Sequence, residues 1–269
     1  MRCLSLTEDI INRFSLKGKI SVVVGGAGLL GKAIVKGLAE AGARVYIGEI
    51  DKKKSENIKS IYQKEGLDVE WMYIDISKPE TVKEFIEKIV DIEKKIDIWI
   101  NCAYPRTDDW GSKFEEVKYD SLKKNVDMHL NGYFLCCQQI CKQMRRQKKG
   151  SLINFGSIYG LVGPDFKIYE NTDMTVAAAY SLIKGGIVNF TRYLASYYGK
   201  YGIRINAICP GGIYDNQAKS FLEKYEKNVP LGRIGNSDDI VGPVIFLSSD
   251  AASYITGHIL TVDGGWTAI

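Results

Sequence analysis

The stretch "KISVVVGGAGLLGKAIVKGLAEAGARVYIGE", residues 19–49, decides the fold. It opens on a run of valines too continuous for a strand with one wet face. It then turns through Gly25, Gly28 and Gly31, continues as a helix-length amphipathic segment, and returns as a second apolar strand ending in Glu49. Strands apolar on both faces belong to a parallel sheet covered by helices on each side. Glycines between strand and helix permit a tight turn and let backbone N–H groups approach an anion, where the helix N-terminus adds partial positive charge. A glycine triplet alone also serves an ordinary strand–helix turn. Glu49 sharpens the reading, because a carboxylate at the end of the second strand accepts from the ribose hydroxyls of a dinucleotide. The same carboxylate repels a 2′-phosphate and no arginine follows it directly, so NAD is expected, with NADP the lesser alternative.

Working outward, further strands are predicted at 69–75, 96–101, 151–157, 203–209 and 258–264. Helices are predicted at 29–41, 52–65, 79–93, 121–147, 178–199 and 238–248. Regular strand–helix alternation predicts a single-domain, doubly wound α/β fold, its seven strands in a parallel sheet with helices on both faces and right-handed crossovers. No linker, repeat or low-complexity tract divides residues 1–269, of which 1–15 read as an N-terminal extension. Long loops at 102–120, 158–178 and 211–235 leave carboxyl ends of strands, where open α/β sheets bind ligands, and the last two are expected to form the substrate site.

Composition excludes more than it selects. With 36 basic and 32 acidic residues the net charge of +4 is too mild to imply nucleic acid or a membrane surface as partner. The basic run at 142–150 sits where cations oppose a helix dipole. Cys3, Cys102, Cys136, Cys137, Cys141 and Cys209 form no CxxC, and with two histidines in the chain no metal site is expected. Neither a signal-peptide core nor a bilayer-length apolar run is present, so a reducing cytoplasm is expected.

In "AAYSLIKGG", 178–186, Tyr180 and Lys184 stand one helical turn apart. A buried ring beside a solvated amine is the plain reading. The chemical reading is that an ammonium on the same helix face favours the phenolate and lowers the phenol's pKa.

The glycine turn, "DI" at 75–76, "NCA" at 101–103, "GS" at 156–157, "YSLIK" at 180–184, "INAICPGG" at 205–212 and "TVDGGW" at 261–266 occur in one order. In these motifs the chain resembles a single-domain short-chain dehydrogenase/reductase from about Leu16 onward, which implies a seven-stranded Rossmann fold in agreement with the strands above. The resemblance implies Tyr180 as general acid/base, Lys184 as its partner and holder of the nicotinamide ribose, and Ser157 as the hydrogen-bonding group on the reacting oxygen. It implies cofactor contacts for Gly25, Gly28, Leu29, Leu30, Gly31, Glu49, Asp75, Ile76, Asn101, Ala103, Tyr180, Lys184, Pro210, Gly211 and Ile213.

Four departures stand out. Leu29 replaces a family glycine, giving the spacing of the nucleotide-sugar epimerase branch. His129 replaces the active-site Asn, where an imidazole titrating near neutrality is a candidate proton relay and simple packing is the alternative. Residues 158–179 make a longer interval between Ser157 and Tyr180 than the family usually shows, and its polar Asp165, Lys167, Tyr169, Glu170, Asn171 and Asp173 suggest substrate contact or a surface excursion. Asp215 replaces a threonine that often meets the carboxamide.

Tyr104, Trp110 and Tyr169 as stacking faces, with Arg106 and Lys167 as anion anchors, suit a small polyhydroxylated substrate of sugar type, with Tyr104, Arg106 and Tyr169 the chosen substrate residues. The loops also resemble the flagellin-modification protein A branch, which implies amino-sugar chemistry. An epimerase or dehydratase with tightly held NAD and a non-catalytic dinucleotide-binding protein stay open as alternatives. The resemblance further implies a homotetramer or homodimer through helices near 121–147 and 178–199, with Phe134, Leu135, Ile187, Phe190 and Leu194 at the contact or in the core.

Overall fold

The computed structural model describes residues 9–172 and 174–269; Cys3, Glu8, Asp173 and the first part of the 1–15 extension lie outside the described residues. The strands are β1 (Ile20–Val24), β2 (Arg44–Glu49), β3 (Val69–Tyr73), β4 (Ile98–Asn101), β5 (Gly150–Phe155), β6 (Ile203–Pro210) and β7 (Ile259–Val262). They form one sheet of order β3-β2-β1-β4-β5-β6-β7, with every pairing parallel. Strand order reverses between β1 and β4, which opens a crevice beyond their carboxyl ends.

The helices are α1 (Leu29–Glu40), α2 (Lys52–Lys64), α3 (Pro79–Glu93), α4 (Tyr119–Val126), α5 (Gly132–Gln147), α6 (Ala178–Tyr198), α7 (Lys219–Lys227) and α8 (Val241–Ser248). Strand alternation sorts the core into two layers. Val22, Val24, Trp99 and Leu152 face α3, α5 and α6 through Phe85, Ile89, Tyr133 and Ile187. Val23, Ile47, Ile100 and Ile153 face α1 and α8 through Ile34, Leu38, Val244 and Leu247. A smaller cluster of Ile168, Phe221, Tyr225 and Val229 stands apart from both.

Two predicted elements need correction. The helix expected over 121–147 is broken by a π-turn at Asp127–Asn131, which separates α4 from α5. Within the expected loop 211–235, α7 forms because Phe221 and Tyr225, one turn apart, bury against Ile168. Most strands are also shorter than the apolar runs, β6 being one residue longer, and the first turn of the 238–248 segment is a 3-10 turn.

A buried polar chain fixes α6 on the sheet. Trp99 Nε1 donates to Asn101 Oδ1 at 2.8 Å, and Asn101 Nδ2 donates to Asn154 Oδ1 at 2.9 Å. Asn154 Nδ2 then donates to Thr191 Oγ1 at 3.1 Å. Buried amides without partners are costly, so this chain strongly disfavours any other seating of α6 and of the side chains it carries.

Candidate active site

Gly25 follows β1 with φ +81, and a Cβ there would stand 2.6 Å from the Ala103 backbone. Only glycine lets the ends of β1 and β4 meet this closely. Gly28 then caps α1 with extended backbone, and α1 has neither a capping side chain nor an acid in its first turn. Its unpaired first-turn amides therefore suit an anion such as a pyrophosphate. Leu29 begins α1 and is not among the residues with positive φ, so this turn needs no second flexible residue where the family has glycine.

A crevice of about 1060 Å³ collects most of the expected residues. Its lining includes Gly25, Gly28, Leu29, Leu30, Gly31, Glu49, Asp75 and Ile76, together with Ala103, Pro210, Gly211 and Ile213. Glu49 Oε1 accepts from the Ile50 amide at 2.9 Å, leaving its second oxygen for ribose hydroxyls. Asp75 holds its own turn, accepting from the Ser77 amide and hydroxyl at 3.0 and 2.7 Å. These residues fit a dinucleotide.

Ser157, Tyr180 and Lys184 converge at the other end of the same crevice. Ser157 follows β5 and caps a 3-10 turn, accepting from the Tyr159 amide at 3.1 Å. Tyr180 lies in the first turn of α6, and Lys184 one turn deeper. Lys184 is 4% exposed, and its Nζ donates to the Phe155 carbonyl at 2.8 Å. The ammonium sits 5.6, 5.7 and 5.9 Å from the ring centroids of Tyr180, Tyr133 and Tyr104.

This electrostatic balance corrects the expectation that the ammonium makes the phenol acidic. Burial pushes Tyr180 above the ordinary phenol range, and a hydrogen bond with Ser157 opposes the rise only in part. Burial also lowers Lys184 to about 8, with Cys102 and Cys209 opposing. Desolvation dominates at both groups because they are packed among aromatic rings, and the amine is turned toward the Phe155 carbonyl.

Lys184 thereby yields a prediction for the unliganded chain. Its folded pKa is depressed, so the destabilisation it causes is full below about pH 8 and fades as pH rises toward the unfolded value. Lys184→Met is expected to be more stable than wild type by about 2 kcal/mol at pH 7, a gain of about 3 kcal/mol from removing the buried charge being offset in part by the hydrogen bond lost at the Phe155 carbonyl. That advantage shrinks as pH rises from 8 to about 10 in urea unfolding series. A constant difference across this range would contradict the assignment.

His129 and Asn101 do not line the crevice. Asn101 belongs to the buried polar chain behind it. His129 is fully buried on the π-turn, its two ring nitrogens lack partners among the described residues, and it packs on Tyr104 and Tyr133 at 5.6 and 5.2 Å. Burial and the Lys184 charge hold it well below 6.5. It therefore stays neutral, contrary to an imidazole titrating near neutrality.

Beside these residues, Tyr104 stands edge-on to Tyr180 and Trp110, each at 5.7 Å, with the Arg106 guanidinium 5.3 Å over its ring. Tyr169 and Arg106 line the same space, whereas Lys167 is exposed outside it. Sequence reasoning missed Tyr159, whose hydroxyl lies 3.1 Å from that of Tyr169. It also missed Tyr225, whose hydroxyl accepts from the Gly212 amide. The available signals were Tyr159's place two residues after Ser157 and the Phe221/Tyr225 helical spacing. Cys136, Cys137, Cys141 and Cys209 are buried thiols, and burial pushes each upward.

Comparison with known proteins adds to this geometry. The family described as enoyl-(acyl carrier protein) reductase matches residues 26–267. Post-translational flagellin modification protein A of Campylobacter coli is 34% identical over 93% of this chain and 99% of its own. A short-chain dehydrogenase from Leptospira borgpetersenii with bound NAD+ superposes with TM-score 0.81 and 35% identity, covering 93% of each chain. A gluconate 5-dehydrogenase from Burkholderia cenocepacia, in complex with NADP and tartrate, gives TM-score 0.87 and 25% identity over 97% of this chain and 99% of that one.

Proposed function

The chain belongs to the short-chain dehydrogenase/reductase family, and on that premise we propose that it interconverts a secondary alcohol and a ketone on a sugar-type substrate with NAD(H). The observation that carries this reading is one crevice holding a glycine turn and carboxylate at one end and Ser157, Tyr180 and Lys184 at the other. The dinucleotide supplies the hydride exchange and, when oxidised, a positive charge near the phenol. Ser157 orients the reacting oxygen, and Tyr180 gives or takes its proton. Lys184 holds the ribose and keeps a cation behind the phenol. Tyr180 donates that proton when the ketone is reduced and takes it back when the alcohol is oxidised.

A sugar-type substrate is supported by the polar and aromatic lining and by the gluconate and flagellin-modification relatives. The test is absorbance at 340 nm over a panel of sugars, sugar acids and sugar phosphates with NAD+. A hit supports the reading, and turnover without net NADH moves the assignment to the epimerase or dehydratase class.

Glu49 makes the cofactor preference testable. Wild type is expected to favour NAD+ over NADP+ by at least about tenfold in kcat/KM, and Glu49→Gln to narrow the ratio several-fold by removing the charge facing a 2′-phosphate. An unchanged ratio would remove Glu49 from the ribose site.

A homo-oligomer is part of the reading. Phe134 is 46% exposed and Tyr193 61% exposed, and with Phe190 and Tyr197 they form a stacked row on the outer side of α5 and α6. Ile187 and Leu194 instead belong to the core. No helix among the described residues is long and apolar enough to cross a membrane, and a cytoplasmic location is proposed with the activity.

A further inference from the structure

The chain inserted between Ser157 and α6 has a definite seat. Ile168 is 1% exposed and packs with Phe221, Tyr225 and Val229. Lys224 Nζ donates to the carbonyls of Lys167 and Glu170 at 3.2 and 2.7 Å. Asn228 Nδ2 donates to Asp165 Oδ2 at 3.1 Å. The insertion is thus pinned to α7 and the turn after it by three polar contacts and an apolar anchor.

What the pinning delivers to the crevice is Tyr169. Its ring lies 5.3 Å from that of Phe221, and its hydroxyl lies 3.1 Å from the Tyr159 hydroxyl. Tyr159 is fixed from the opposite side, in the 3-10 turn Ile158–Gly160 that Ser157 caps. Both phenols line the crevice with Ser157 and Tyr180. Burial raises both phenols, so they remain protonated through the neutral range.

Two phenols bonded to each other use one O–H proton between them. The second proton is left over, because each hydroxyl's hydrogen-bond partner among the described residues is the other. A partly buried donor gains most from an acceptor brought by the crevice's occupant. A site built to hydrogen-bond a substrate hydroxyl rejects the analogue lacking it far more strongly than an apolar pocket discriminates by size.

We infer that Tyr159 and Tyr169 together form a subsite for a second substrate oxygen, distinct from the one held by Ser157 and Tyr180. The pair selects diols and hydroxyketones over simple secondary alcohols. This rests on the dehydrogenase reading above and names the residues that would give it specificity.

The test compares cyclohexanol with the 1,2-, 1,3- and 1,4-cyclohexanediols as probes, each with NAD+. For wild type the best diol is expected to exceed cyclohexanol in kcat/KM by at least about tenfold. Tyr159→Phe and Tyr169→Phe, which keep both rings, are expected to bring that ratio below about threefold. Lys224→Met, which frees the insertion while keeping both hydroxyls, lowers the ratio by an intermediate factor. No diol preference in wild type, or a preference that survives both phenylalanine variants, overturns the inference. Should all four alcohols be oxidised too slowly to measure, thermal shift of the NADH-loaded enzyme gives the same comparison. A diol that stabilises no more than cyclohexanol then overturns it. Failure of the parent reading looks different: no NAD(H) binding, or Tyr180→Phe oxidising the diol as fast as wild type.

Discussion

Tyr180→Phe is expected to lower kcat by about a thousandfold while leaving the fold and NADH binding in place. The substitution removes one oxygen from a ring wedged between Tyr104 and Trp110, at 5.7 and 6.2 Å, and keeps the ring. Packing is therefore preserved, and what disappears is the group proposed to exchange a proton with the substrate oxygen. On the proposed roles Ser157 still orients that oxygen, so some activity is expected to survive through water. Steady-state kinetics at 340 nm, with NADH fluorescence titration as the binding control, separates the two effects. A kcat within tenfold of wild type would mean that another group moves the proton.

Gly25→Ala carries the second large effect, this time on fold and cofactor together. At φ +81 an L-residue is strained by about 1–2 kcal/mol. The new methyl would also stand 2.6 Å from Ala103 N and Cα, which are strand-end backbone and not a side chain able to swing away. Either β1 and β4 separate or the turn refolds. A loss of about 3 kcal/mol is expected, with NADH affinity falling at least about tenfold. Gly28→Ala is the contrast: its backbone is extended and a Cβ would approach no closer than 3.3 Å, to the Gly25 carbonyl. Its stability change is expected to stay below about 1 kcal/mol. Equal destabilisation in the two variants would refute this account of the turn.

The Rossmann layers were legible because parallel strands buried on both faces write their burial directly into continuous Val and Ile runs. Gly25 was legible because a tight strand–helix turn demands glycine there, and the place of Glu49 at the crevice because it ends the second strand of that unit. Other features depend on tertiary contact. α7 carries Lys219, Glu223, Lys224 and Lys227 around a narrow apolar stripe, and that stripe packs on the inserted loop instead of the sheet. The π-turn at Asp127–Asn131 is a shift of hydrogen-bond register that leaves the apolar pattern intact. The Tyr180–Lys184 spacing correctly put both groups in one crevice. It could not reveal that desolvation would raise the phenol and depress the amine, because the rings of Tyr104 and Tyr133 come from other parts of the chain.

The most direct test of the dehydrogenase assignment is isotopic. The ketone formed from a substrate found in the sugar panel is returned to the enzyme with NADH deuterated at the transferring position of C4. Deuterium at the new carbinol carbon, with one NADH consumed per alcohol formed, is the expected result. Alcohol formed without deuterium at that carbon, or product accumulating while the NADH signal stays constant, would contradict it.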